Sequence, residues 1–222
     1  MIEFTLTREG PIAIATMTSG ENRLGTAAIS SWNTMLDEIE ADPEVSSVVV
    51  TGVDRHWSTG LDLHEVADMS EPELASFMRS VDLLLGRILT LPLVTVAALN
   101  GHTYAAGALL ALAHDVRVMR EDKGFFCLPS VDVGIPFSAG MSALIVAKLP
   151  QPIAHDLVVS CRRIGGTEAE RTGVVTHAYP EAEVLPMARD IAHSHSGKDA
   201  ATLTTVKRRL YPVAADLLAA VP

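Results

Sequence analysis

Apolar residues recur at helical spacing between residues 26 and 41, where Ile29, Trp32, Met35, Leu36 and Ile39 share one face. That period predicts an amphipathic helix, and Asp42-Pro43 ends it because a residue before proline leaves the helical region. Ahead of it, two β-prone runs at 2–7 and 12–17 flank the Gly10-Pro11 turn signal. A compact β-branched strand at 47–51 runs into Gly52, which opens a polar loop extending past Gly60. Ser70 and Pro72 suit the cap and first turn of a helix over 71–89. A strand at 94–99 is turned by Asn100-Gly101 into an Ala-rich helix at 104–113. Further strands are predicted at 115–119 and 125–128, then helices at 138–149, 152–160, 167–172, 183–195 and 200–220.

Strands alternating with helices predict an α/β fold with parallel strands. Two units are expected: a core over 1–195 and a helical segment over 196–222 that serves as a lid or an oligomer contact. The 222 residues are 48% hydrophobic and 20% charged, ordinary for a globular chain. The net charge of -10 excludes a nucleic-acid partner, which needs clustered Lys and Arg. No apolar stretch approaches the ~20 residues of a membrane span, and Met1-Ile2-Glu3-Phe4 opens with an acid, so a cytoplasmic location without a membrane partner is expected. Cys127 and Cys161 are too few for a disulfide framework and are expected as free thiols.

The familiar short motifs are missing. The chain has no GxGxxG after a strand, no GxxxxGK[ST] and no GxSxG. His64-Glu65 begins like a zinc motif, but Asp68 stands where the second histidine belongs, and no metal is expected. Two loops remain, each following a buried strand. One is Trp57-Ser58-Thr59-Gly60-Leu61-Asp62-Leu63, and the other is Asn100-Gly101-His102-Thr103-Tyr104-Ala105-Ala106-Gly107-Ala108. Small side chains at a helix start let a ligand reach backbone N–H groups that have no intrahelical acceptor. A carbonyl oxygen could be held between two such donors, an oxyanion hole. The alternative is that Ala105 to Ala108 simply pack a helix against a sheet.

These segments resemble the enoyl-CoA hydratase/isomerase (crotonase) superfamily. Glu21-Asn22-Arg23-Leu24, Ala113-His114-Asp115-Val116-Arg117 and Val131-Asp132-Val133-Gly134-Ile135-Pro136 extend the likeness over nearly the whole chain. The GLDL and GHxxAAG wording is most similar to the Δ3,Δ2-enoyl-CoA isomerase branch. The resemblance implies a spiral of repeated ββα units, a homotrimer or hexamer, and an acyl-CoA thioester as ligand. Coenzyme A then enters as part of the substrate, with no separate cofactor. It implies oxyanion donors at the backbone N–H of Leu61 and Ala106. It also implies substrate contacts around Asn22, Arg23, Leu24, Gly60, Asp62, Leu63, Ala105, Gly107 and Leu109.

The family's carboxylates are replaced. Leu109 and Ser130 stand where hydratases carry two glutamates, and isomerases keep the second of these; Ser138 stands where dienoyl isomerases add an aspartate. Asp132 is the nearest substitute base, since a strand would return it to the face of Ser130. Glu65, Asp68 and Glu73 follow the first loop, and His102 and Tyr104 flank the second. Arg23, Arg55 and Lys207-Arg208-Arg209 are candidates for the CoA phosphates. Enolate chemistry with a double-bond shift is the leading expectation, with hydration and non-catalytic acyl-CoA binding as alternatives.

Overall fold

The computed structural model describes residues 3–220. The chain winds through successive ββα turns. β1 (Phe4–Glu9) and β2 (Ile12–Met17) precede α1 (Thr26–Ala41), and β3 (Ser47–Gly52) and β4 (His56–Ser58) precede α2 (Leu63–Ala67) and α3 (Glu71–Leu89). β5 (Val94–Leu99) and β6 (His102–Tyr104) lead into α4 (Ala106–Ala113). β7 (Val116–Arg120) and β8 (Phe126–Cys127) lead into α5 (Ser130–Val133) and α6 (Ala139–Lys148). Then come α7 (Gln151–Ser160), α8 (Gly166–Arg171), β9 (His177–Tyr179), α9 (Glu181–His195), α10 (Ala200–Leu210) and α11 (Pro212–Ala219).

From the second turn of the spiral on, the first strand joins a large sheet and the second joins a small one. The large sheet runs β1-β2-β3-β5-β7-β9, parallel except for the β1-β2 hairpin. The small sheet, β4-β6-β8, is parallel throughout. The large sheet is covered on both faces, which explains its nearly unbroken apolar strands. Val48, Val50, Ala97 and Leu99 pack into the main core with α1, α3 and α4, while Val49, Val96 and Ala98 meet Val184, Ala188 and Ala192 of α9. Every residue of α4 is buried, so its alanines fill a space with no room for longer side chains.

Several expectations need correction. The helix predicted from residue 104 starts at Ala106, because His102 to Tyr104 form β6. Three-residue strands such as β4, β6 and β9 are too short to display a period of two. Residues 130–133 are helical, so the strand spacing that placed Asp132 on the face of Ser130 does not hold. The helix predicted over 200–220 is broken at Tyr211 (φ -126, ψ 48), and Pro212 begins α11. Ile2, in the first predicted strand, lies outside the described residues.

The last helix folds back onto the body. Arg79 donates to the carbonyls of Leu218 (2.9 Å) and Ala219 (2.8 Å). Gly86 and Gly140 make room for Leu218, whose Cδ2 would lie 2.8 Å from a Cβ on Gly140. Among the described residues no helix is long and apolar enough to cross a membrane.

Candidate active site

Backbone turns bring the two sequence-singled loops into contact. Asn22, at φ +48 and fully buried, donates from its side-chain amide to the Trp57 carbonyl (3.0 Å) and accepts from Ser19 N–H (3.1 Å). Ser58 Oγ donates to the Asn22 carbonyl (2.8 Å) and accepts from Gly60 N–H (3.3 Å). Leu24 N–H donates to the Gly60 carbonyl (2.7 Å) and Asp62 N–H to the Leu24 carbonyl (2.8 Å), which fixes the chain on both sides of Leu61. Gly60 sits at φ +92, where a Cβ would lie 2.8 Å from Ala105 Cβ and 3.0 Å from Ala106 N. Gly107 is equally constrained: a Cβ there would stand 2.6 Å from the Ser58 carbonyl oxygen.

Ala105 is held at φ +51, ψ -123, as the residue preceding α4. A non-glycine residue there stores on the order of 1–3 kcal/mol of strain. Its own N–H donates to the Cys127 carbonyl (3.0 Å), which holds the turn against β8. Among the described residues neither Leu61 N–H nor Ala106 N–H donates to a protein acceptor. Two donors without protein acceptors therefore stand on touching loops, one of the things an oxyanion site needs.

Beside them opens an apolar cavity of about 270 Å³. Leu61, Leu63, Ala105, Ala106, Leu109 and Ser130 line it, so six of the sequence-singled residues meet in one place. Gly60 and Gly107 do not line it but pack against Ala105 and Ser58. Asp62 caps α2, accepting from His64 N–H (3.2 Å). Asn22 ties the loops together, Leu24 is buried in the core, and Arg23 pairs at the surface with Glu21 (2.7 Å).

No carboxylate lines the cavity among the described residues. Glu65 accepts from Thr26 N–H (3.0 Å) and so caps α1, whose Gly25 has no side chain to do it. Glu73 closes a capping box with Ser70, whose hydrogen bonds hold its carboxyl below the usual range. Asp68 and Asp132 are exposed and are not among the lining residues, although Asp132 lies between Ser130 and Val133, which are. Ser130 Oγ is committed to the Ile135 carbonyl. One carboxylate the sequence did not flag is Asp82 of α3, which accepts from Ser138 Oγ (2.8 Å) and whose carboxyl pKa is raised by burial.

Tyr104, Cys127 and Arg163 also line the cavity. Arg163 arrives there because Ile164 pairs with Phe126 next to β8, a contact with no local sequence signal. Its guanidinium lies 5.5 Å from the centre of the Tyr104 ring. Cys127 Sγ donates to the Cys161 carbonyl (3.2 Å), and burial pushes its thiol up, so it stays protonated. Lys207 is removed from the phosphate candidates: it is buried in a 2.6 Å pair with Asp115 and donates to the Leu91 and Leu93 carbonyls.

The family model for enoyl-CoA hydratase/isomerase matches residues 8–220. The chain belongs to this family. It is 32% identical over 218 residues to enoyl-CoA delta isomerase 3 of Arabidopsis thaliana, covering 94% of this chain and 92% of that protein. It is 31% identical over 193 residues to carnitinyl-CoA dehydratase of Escherichia coli, covering 86% and 69%. In fold it is similar to the enoyl-CoA hydratase EchA3 of Mycobacterium ulcerans, with a TM-score of 0.90 at 23% identity over 97% of this chain and 94% of that one. The crotonase spiral expected from the motifs is therefore the fold of this chain.

Proposed function

We propose that this crotonase-family chain is an enoyl-CoA isomerase that shifts a double bond in an acyl-CoA thioester. One observation carries the proposal: two unpaired N–H groups, of Leu61 and Ala106, meet beside an apolar cavity that lacks paired carboxylates. The thioester oxygen accepts from both donors, and the negative charge that develops on it is held there. Each donor is worth about 2.7–4 kcal/mol at the transition state. The acyl chain extends along Met78, Phe137 and Met141. Arg163, at the cavity, is the cation best placed to meet a CoA phosphate. The likeness to an enoyl-CoA delta isomerase supports the same choice. A homotrimer or hexamer and a cytoplasmic location belong to the proposal, to be read by sedimentation and by imaging.

Hydration calls for one group to activate the water and another to move a proton to C2, and Leu109 can do neither. Leu109 and Ser130 favour a second reading, a pocket that binds acyl-CoA without turning it over. The test is to supply 3-enoyl-CoA and 2-enoyl-CoA separately and follow both by mass spectrometry and absorbance. Conversion of the first to a conjugated 2-enoyl thioester, with no water added to the second, is the expected result. Binding without either conversion would replace isomerase by binder.

A further inference from the structure

Of the side chains at the cavity that carry a polar hydrogen, most are already committed. Ser130 Oγ donates to the Ile135 carbonyl, Thr59 Oγ1 to Glu21 (3.3 Å), and Cys127 Sγ to the Cys161 carbonyl. Arg163 carries only N–H donors and no acceptor. Tyr104 is different, because its hydroxyl meets His102 Nδ1 at 2.9 Å, a group able to take a proton and return it. The strand makes this pairing: His102 and Tyr104 are two apart on β6 and so point to the same side. Tyr104 is also two residues before Ala106, so the rigid turn at Ala105 fixes it next to a proposed oxyanion donor. The imidazole is steadied by rings on either side, with His56 at 5.5 Å and Phe125 at 5.6 Å between centres.

We infer that Tyr104 is the proton-transferring group at this site and that His102 acts through it as a relay. The inference rests on the isomerase reading above. The C2–H bond of the 3-enoyl thioester breaks and its proton passes to Tyr104 Oη, while the phenolic proton moves to His102 Nδ1. The electron pair left on C2 delocalises into a dienolate whose oxygen is held by Leu61 and Ala106 N–H. Nδ1 then returns its proton to Oη as Oη protonates C4, and the double bond rests between C2 and C3. No atom or electron is gained or lost.

The surroundings suit the roles. Burial raises the Tyr104 phenol, opposed by Arg163, so it stays protonated until it is used. Burial, then His56, Arg163, Arg55 and Arg120, lowers the His102 imidazole, so it is a neutral acceptor at pH 7. Asp54, Asp122, Lys123 and Glu181 share the hollow on its outer side. Arg120 is paired there with Asp122 (2.9 Å) and Glu181 (2.8 Å). Turnover therefore falls as pH drops through the lowered imidazole value and His102 becomes charged.

The experiment compares wild type with Tyr104→Phe, His102→Gln and Asp82→Asn. It measures 3-enoyl-CoA isomerisation against pH, deuterium uptake at C2 of a saturated acyl-CoA, and calorimetric binding of that acyl-CoA. Tyr104→Phe is expected to bind within about threefold of wild type yet lose isomerisation and exchange by about 10²–10⁴-fold. His102→Gln is expected to lose the acid limb of the rate profile as well as rate, which a merely structural residue would not do. Tyr104→Phe that turns over at more than about a third of the wild-type rate would overturn the inference. So would activity lost in Asp82→Asn and kept in Tyr104→Phe. Wild type that neither isomerises nor exchanges would instead remove the isomerase reading, and this inference with it.

Discussion

The two halves of the cavity are built from different materials. The donor half is backbone: Gly60, Leu61, Ala105 and Ala106 contribute N–H groups and turns, and their side chains matter mainly by being small. The other half is side chain, with Leu109, Ser130 and Tyr104 on the lining and no carboxylate among the described residues there. A backbone site tolerates little change, because a single Cβ at Gly60 or Gly107 meets another backbone atom at 3.0 Å or less. A side-chain site can be rewritten by substitution while the fold stays as it is. On the proposed function, charge stabilisation and proton transfer therefore have separate sequence requirements.

The largest expected effect breaks the backbone half. Gly107→Val drives β4 away from α4, and acyl-CoA affinity measured by calorimetry falls by more than about 100-fold, roughly 2.8 kcal/mol. Unchanged affinity in a folded variant would contradict the placement of the donors. Next, the side-chain half is open to restoration. Ser130→Glu placed in Tyr104→Phe returns a carboxylate to the cavity and raises isomerisation by about tenfold or more over Tyr104→Phe alone, read in the same absorbance assay.

A smaller effect separates strain from function. Ala105→Gly relieves the positive φ and raises Tm by about 2–4 °C in scanning calorimetry. The smallest lies outside both halves. Burial, helped by Arg117, lowers Lys148 from 10.5 to about 7, and its ammonium sits 4.7 Å from the centre of the Tyr211 ring. Between those two values the unfolded chain holds a proton that the folded chain does not, so wild-type stability rises with pH across about 7 to 10.5. Lys148→Met flattens that rise in Tm against pH and leaves the isomerisation rate unchanged.

The backbone half was legible in the sequence because it depends on residue types that the main chain dictates. Glycine at a positive φ and alanines in a helix without spare room leave a local signature that singles out both loops, while the family resemblance pointed to Leu61, Ala106 and Leu109, and all three line the cavity. The amphipathic period of α1 and the β-branched run of β3 were equally plain. The side-chain half was not legible, because its members come from three-residue strands and long-range pairings. Arg163 depends on the Phe126–Ile164 bridge, and Asp82 on the meeting of α3 with Ser138. The strand spacing expected at Asp132 failed for a local reason: Gly134, at φ +68, lets 130–133 close a helical turn instead of extending. Glu65 and Glu73 looked available only because a carboxylate's service to a helix end cannot be seen until the helices are placed.

The central claim is that Leu61 and Ala106 N–H both hold the thioester oxygen. Infrared difference spectroscopy of the protein saturated with a ¹³C-carbonyl acyl-CoA measures this directly, because two hydrogen bonds weaken the C=O bond. The account predicts a thioester band shifted to lower frequency than in water, and a return toward the free value in Gly60→Ala, whose Cβ intrudes between the donors. A bound thioester with its carbonyl band at the free frequency would contradict it.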